Sequence, residues 1–214
     1  MPGLETIETW EPNEIRGPGD LSQFLTLPCT VEEGQDLDKG TIIGKRTATE
    51  KYIEYDITAA AASATTNTAD GDNAGNATSS AVEVQDAYTL TEDWTLTASE
   101  ATVFAVVGSV TGAAGDLTLG SEFKYPNTTA YKIKLTMTAG VTPCEEGDEY
   151  TFSTVAAGVA VAEGILSEDV DATEGDEISS MFVKGIFVED ELTGLDADAK
   201  SHLGGKTVGD YFII

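Results

Sequence analysis

The sequence predicts a mainly β protein with one short helix near its C-terminus. Apolar and polar residues alternate with period two in several short segments, such as Trp94–Ser99 and Tyr131–Thr138. This pattern places one set of side chains on a buried face and the other in water. Many of the 22 glycines stand between these segments at turn-like spacing. Several short strands spaced in this way are typical of a small sandwich or barrel.

Residues 1–28 are predicted to form an extended N-terminal arm, because four prolines interrupt any helix there. Residues 29–58 follow as a β-unit. Its short strands, Gly40–Lys45 and Lys51–Asp56, are rich in β-branched and aromatic residues and are joined by 46–50. The arm also carries scattered apolar side chains. It is therefore expected to pack on its own domain or to dock on a partner, and for residues 2–16 both alternatives stay open.

The middle of the chain changes composition twice. Residues 59–80 hold almost no bulky apolar side chain, so burial cannot offset the entropy of ordering them, and the segment is predicted to be a flexible linker. Residues 81–155 restore the alternating pattern and predict a separate β-domain.

Residues 156–214 return to a compact pattern. The strongest apolar run of the chain, Met181–Val188, predicts a central strand. A short helix is predicted from Asp196 to Leu203, since acidic residues stand at its start and basic ones at its end. Gly204 and Gly205 suit a left-handed C-cap, and a last strand is predicted over 210–214.

Charge and rare residues exclude several classes of function. The 214 residues carry a formal net charge of −27, which disfavours binding to nucleic acid and to anionic membranes. His202 is the single histidine, and with two cysteines a structural zinc site could barely be assembled. No signal peptide or membrane span is recognisable, so a protein made in a reducing cytoplasm is expected.

Catalytic and metal-binding motifs are not recognisable, and we expect no enzyme, no cofactor and no metal site. His202 lies near the end of the predicted helix, where a structural role is expected. The acidic run 168–177 fails the EF-hand test, because Glu174 stands where that loop needs glycine and Ser180 where it needs glutamate. Weak cation binding by these carboxylates stays open, with a solvated loop favoured.

Two separated stretches resemble one family, the phage head decoration proteins related to that of phage lambda. The first stretch is Glu33–Lys45 followed by Lys51–Asp56, similar to the family pattern G-x-x-L-x-x-G-T-[VIL]-[LI]-G-K … G-K-Y. The second begins with Ala162–Ala172, which reads AEGILSEDVDA, and continues through VKGIF at 183–187 to the predicted helix. Glu50 departs from the pattern, because the family has glycine before Lys-Tyr.

The resemblance implies a discontinuous core with a small β-barrel or β-tulip fold, formed by residues 29–58 and 156–214. Residues 81–155 then form an inserted, β-sandwich-like domain. The implied function is a cementing protein: a homotrimer that binds the major capsid protein at three-fold and quasi-three-fold positions on the outside of the expanded head, and so belongs to the virion surface. Carried over from the family, the capsid-binding residues would lie in the arm, with Trp10 as the apolar anchor: Thr6, Ile7, Thr9, Trp10, Pro12 and Ile15.

Two other classes of protein stay open. A further phage structural protein, such as a tail tube subunit, would also be acidic and β-rich. A surface β-protein that binds calcium or carbohydrate is the other alternative. The inserted domain is expected to be inert bulk rather than a sugar-binding module, because only Trp94, Tyr125 and Tyr131 are suggestive aromatic residues.

Overall fold

The computed structural model describes residues 24–204 and the backbone of 211–213. The predicted fold class is confirmed: the chain is mainly β with one short helix near the C-terminus. The chain divides into two compact units. Unit 1 contains the described residues up to Lys45, Glu50–Ala59 and those from Val159 onward. Unit 2 contains Arg46–Thr49 and Ala60–Gly158.

Eighteen strands and one α-helix make up the described chain. The first group is β1 (Leu25–Val31), β2 (Gln35–Leu37), β3 (Ile42–Arg46) and β4 (Lys51–Glu54). The middle group is β5 (Ser63–Ala64), β6 (Thr68–Ala69), β7 (Thr78–Ser79), β8 (Glu83–Val84), β9 (Glu92–Glu100), β10 (Val103–Gly108), β11 (Gly112–Thr118), β12 (Glu122–Tyr125), β13 (Ile133–Thr138) and β14 (Glu149–Val155). The last group is β15 (Gly164–Leu166), β16 (Val170–Ala172), β17 (Glu177–Phe187), a 3₁₀ turn (Glu189–Glu191), α1 (Ala197–Gly204) and β18 (Tyr211–Ile213).

One six-stranded sheet organises unit 1. Its strand order is β1-β4-β3-β15-β17-β18. Strand β1 also pairs with β17 in antiparallel fashion. Each of the five strands β1, β4, β3, β15 and β17 is therefore paired with two others of this set, in a closed cycle. A second, two-stranded sheet joins β2 to β16. The strands before the middle group therefore pair directly with strands that follow it.

Both sides of the unit 1 sheet carry apolar clusters. One cluster includes Ile42, Ile165 and Phe182, and α1 contributes Ala199 and Leu203 to it. The other cluster contains residues whose positions along the strands alternate with those of the first cluster. Its members are Cys29, Val31, Leu37, Ile43, Leu166, Val170, Ala172 and Met181. The two-residue period of the strands accounts for this division, because Ile42 and Ile43, like Ile165 and Leu166, point to opposite sides.

The helix α1 begins where the sequence predicts it. Asp196 precedes the first turn, and its Oδ1 accepts a hydrogen bond from the backbone N–H of Ala199 at 2.6 Å. This side chain satisfies one of the donors that a helix start leaves without a partner. The same carboxylate accepts a hydrogen bond from the Tyr55 hydroxyl at 3.2 Å, which ties the helix to the end of β4.

Two sheets that share one core form unit 2, the arrangement of a β-sandwich. The first has the order β11-β10-β9-β14-β5, with β6 also paired to β14; the second has the order β12-β13-β7, with β8 also on β13. Their inward residues form the core cluster, whose largest members include Trp94, Leu96, Phe104, Ile133, Leu135 and Phe152. The Trp94 ring stacks on that of Phe152 at 6.1 Å and donates its Nε1–H to Thr154 Oγ1 at 3.1 Å.

The flexible linker predicted over 59–80 is not found. From Ala60 onward this segment belongs to unit 2, where β5 and β6 pair with β14, and β7 pairs with β13. Asn73 holds the segment in place: its Oδ1 accepts the backbone N–H of Glu149 at 2.7 Å and its Nδ2 donates to that residue's carbonyl. The segment is ordered by hydrogen bonds to strands far along the chain rather than by apolar burial, and composition alone does not reveal such partners.

Candidate functional site

The residues predicted to bind a capsid lie outside the described part of the chain. These are Thr6, Ile7, Thr9, Trp10, Pro12 and Ile15. The described chain begins at Phe24, directly before β1.

The first half of strand β1 is exposed, whereas its second half contributes buried side chains to the core. Leu25 and Leu27 are 44% and 43% exposed, whereas Cys29 and Val31 are buried. All four side chains point to the same side of the strand because they are spaced by two. The apolar row of β1 thus continues beyond the core into an exposed edge, at the N-terminal end of the described chain.

A second apolar feature lies at the start of β17. Ile178 is 81% exposed and lines a shallow depression of about 240 Å³. The depression is rimmed by four exposed carboxylates, Glu168, Asp169, Asp171 and Glu177. We call this feature the Ile178 depression.

Hydrogen bonds hold three of the four rim carboxylates. Glu168 Oε1 accepts the Ser179 hydroxyl at 3.1 Å, and Asp169 Oδ1 accepts the backbone N–H of Lys39 at 2.7 Å. The hydroxyl and the backbone N–H of Thr173 both donate to Asp171 and hold the pKa of that carboxyl below its usual value. Within residues 24–204, none of the four forms an ion pair with a lysine or arginine side chain.

His202 takes a structural position. Its Nδ1 accepts a hydrogen bond from the backbone N–H of Ala162 at 3.3 Å, and its ring meets that of Tyr55 edge-on at 6.1 Å. Burial raises the pKa of Tyr55 to about 12, and the hydrogen bond to Asp196 adds to the increase. This group joins the sheet to α1, and among the described residues no serine, threonine or cysteine side chain donates a hydrogen bond to His202.

Both cysteines are free and buried. Burial raises the pKa of the Cys29 thiol to about 11, with a smaller contribution from the negative charge of Glu168. Cys144 Sγ lies 3.8 Å from the Tyr150 hydroxyl. A thiol with a raised pKa is a poor nucleophile and a poor metal ligand, because the reactive form is the thiolate.

Unit 2 carries an acidic hollow of about 420 Å³ between the turn around Asp70–Ala74 and the turn Glu145–Glu149. Its central carboxylate, Asp148, is buried and already accepts the backbone N–H groups of Ala74, Gly75 and Glu145. Across the described ranges, no group of three or more His, Cys, Asp or Glu side chains is placed to hold a metal ion. The hollow is therefore a hydrogen-bonded junction between two turns.

The aromatic residues singled out in the inserted region do not form a sugar cleft. Trp94 is 1% exposed and lies in the core. Tyr125 packs against Trp94 with the ring centroids 6.5 Å apart. Tyr131 instead lies beside Lys134, which is 5.7 Å from the centre of its ring and pairs with Glu83 at 2.5 Å.

Comparisons with known proteins identify no family for this chain. No protein-family model matches the sequence, and no curated protein matches it. Among solved structures, two crystal forms of FlgL from Xanthomonas campestris match 56% of this chain with 10% and 11% sequence identity and TM-scores of 0.32 and 0.31. The chain spans about a third of the length of those FlgL chains. A likeness at this level carries no argument about function.

The sequence reasoning did not single out Ile178. The predicted central strand begins at Met181, whereas β17 begins at Glu177 and places Ile178 on its exposed side. The available signal was the alternation from Glu177 to Met181, which assigns Ile178 to the side opposite Ser179 and Met181.

Separately, no helix in the described residues is long and apolar enough to cross a membrane.

Proposed function

We propose that the protein is a capsid decoration protein that binds the outside of an expanded phage head as a homotrimer and stabilises it. One observation supports this proposal above the others. The two stretches that resemble the decoration family are separated by more than a hundred residues, yet they pair strand by strand: β2 with β16 and β3 with β15. Stretches that resemble one family by chance would have no reason to pair with each other.

Side-chain contacts between the same stretches strengthen this support. Asp169 and Asp176 belong to the second stretch or follow it, and they accept the backbone N–H groups of Lys39 and Glu33 in the first. Asp176 also pairs with Lys51 at 2.6 Å. The residues of the resemblance therefore contact one another in unit 1.

The proposed mechanism is binding without chemistry. A protein that binds only the expanded shell stabilises that shell by mass action. A trimer engages several capsid subunits at once, so that weak single contacts become strong through effective concentration. The N-terminal arm is proposed to make the main contact with the major capsid protein, with Trp10 as its apolar anchor.

The inserted unit 2 is proposed to be inert bulk on the outer surface of the particle. Its largest aromatic side chain, Trp94, is used inside its own core, and its acidic hollow is closed by internal hydrogen bonds. High negative charge on an outer surface would keep particles apart in solution.

The test is binding to expanded heads that lack the protein, followed by electron microscopy. Full-length protein is expected to co-sediment with the heads and to give density at their three-fold positions. Deletion of residues 2–14 is expected to abolish binding while the protein stays folded and soluble. Full-strength binding by the deletion variant would overturn the role of the arm, and density along a tail tube or none on heads would overturn the proposed function.

A further inference from the structure

We propose that the Ile178 depression of unit 1 is a second docking site, which takes a positively charged protein segment carrying an apolar side chain. This inference rests on the proposed function, under which the positively charged segment would belong to the surface of the capsid shell. It adds a contact within the folded unit to the contact proposed for the N-terminal arm.

Ile178 gives the depression an exposed apolar side chain. Among the described residues it is the largest strongly exposed aliphatic side chain, at 81%, and it lies on a strand whose opposite side is core. Ser179 and Met181, which alternate with it, are buried. Covering an aliphatic side chain removes apolar surface from water, so a partner that covers Ile178 gains binding free energy from it.

The shape of the surface is set by the fold rather than by a free loop. Ile178 lies opposite Thr30 in the β1–β17 ladder. The rim residues Asp169 and Asp171 flank or belong to β16, which pairs with β2. Since both sides of the depression are built on paired strands, a partner meets a preorganised surface and pays little to order it.

The negative charges on the rim of the depression indicate the chemistry of the partner. Four carboxylates surround one apolar side chain, and none of them is neutralised by a described lysine or arginine side chain. A second copy related by a two-fold axis would bring the same acidic rim against this one and would be repelled, and any other face of a copy belongs to a chain of net charge −27 and complements four carboxylates poorly. Nucleic acid is excluded for the same reason. Lysine or arginine side chains beside an apolar anchor complement both features of the surface.

The test compares matched variants for binding to expanded heads that lack the protein. Ile178→Ser removes the apolar anchor, and Glu177→Lys reverses one charge of the rim. Ile57→Ser and Asp190→Lys make the same changes at other exposed positions of unit 1. We expect the first two variants to bind at least about tenfold more weakly and the two controls to bind within about twofold of wild type.

Salt dependence gives a second measurement. Wild-type affinity is expected to fall as salt rises, because screening weakens attraction between charges near the surface, and the dependence should be shallower for Glu177→Lys. Circular dichroism melting of all four variants verifies that each is folded, which is expected for exposed positions.

The outcomes separate this inference from the proposed function. Wild-type binding by both Ile178→Ser and Glu177→Lys, together with lost binding on deletion of residues 2–14, would overturn the second docking site and leave the decoration role intact. Weaker binding by Ile178→Ser, with no change in binding for Glu177→Lys or with salt, would overturn the proposal that the partner segment is positively charged. Failure of the wild-type protein to bind heads at all would overturn the proposed function, and this inference with it.

Discussion

The rings of Phe182 and Phe187 lie 5.3 Å apart in one core cluster, although the two residues are five positions apart on strand β17. In a regular strand an odd separation places side chains on opposite sides. The register of β17 against β1 accounts for the exception: Thr26 lies opposite Phe182 and Leu25 lies opposite Lys184, so Val183 is an extra residue. This β-bulge returns Phe187 to the side of Phe182.

Inserting one alanine between Lys184 and Gly185 should therefore unfold much of unit 1, because it turns Phe187 to the side of β17 opposite Phe182 and so out of the core cluster. We expect the loss in free energy of unfolding to be at least as large as that of Phe187→Ala, about 3–5 kcal/mol. Chemical denaturation monitored by circular dichroism measures both. Val183→Ala keeps the bulge and the register and should cost far less, and an insertion variant as stable as Val183→Ala would refute the role of the bulge.

Gly44 is predicted to tolerate no side chain. A Cβ at this position would overlap Val159 Cγ1 and the backbone carbonyl oxygen of Val161, and backbone cannot move aside as a flexible side chain can. We expect Gly44→Ala to lower the free energy of unfolding by about 1–3 kcal/mol, as overpacking does. Gly175→Ala, where a Cβ meets open space, is the matched control within unit 1. Equal stability of the two variants in denaturant titrations would contradict the prediction.

Asp148 is predicted to make unit 2 sensitive to acid. Burial alone would raise the pKa of this carboxyl, but the backbone N–H groups of Ala74, Gly75 and Glu145 outweigh burial and hold the pKa below its usual value. The stabilisation is therefore present above the unfolded-state pKa of about 3.9 and is lost as pH falls through the lower folded-state value.

Thermal melting between pH 6 and pH 2 tests this prediction. Asp148→Asn should melt at a lower temperature than wild type at neutral pH, and the difference between the two should shrink as the pH falls below about 4. Asp116→Asn, at an exposed position, should follow the wild-type profile. A constant difference between Asp148→Asn and wild type across the whole range would argue against a charged Asp148 as the cause.

Cys29 is predicted to resist alkylation in the folded protein. Its side chain is 4% exposed, and burial raises its pKa to about 11, so the thiolate is scarce at pH 8. Mass spectrometry after iodoacetamide treatment should find Cys29 unmodified in native protein and modified in denatured protein. Ser201→Cys, at an exposed position of α1, supplies a thiol that should react in the native state. Rapid native labelling of Cys29 would show that β1 opens readily.

Local patterns were sufficient for the parts of the fold that depend on near neighbours. Alternation predicted the strands around Trp94, Phe104 and Ile133, and capping chemistry predicted the helix that Asp196 begins. The resemblance-based functional residues lie in the arm, outside the described chain.

Features that depend on distant partners could not be predicted in this way. Residues 59–80 hold almost no bulky apolar side chain, but Asn73 and Asp148 join this segment to a turn some 70 residues later. The bulge at Val183 appears only when β17 is aligned with β1. Likewise, the exposure of Ile178 depends on which residues cover the start of β17, and a single sequence does not state this.

The pairing of β3 with β15 has a consequence for synthesis on the ribosome. Unit 1 cannot complete its sheet until Gly164 and the strands after it have emerged, whereas nearly all of unit 2 lies between Ala60 and Gly158. During translation the inserted unit can therefore fold first, while β1, β2 and β3 wait for their later partners β17, β16 and β15. The apolar side chains of Ile42 and Ile43 are exposed to chaperones for that interval, so the length and folding speed of the insertion set how long the nascent chain needs protection.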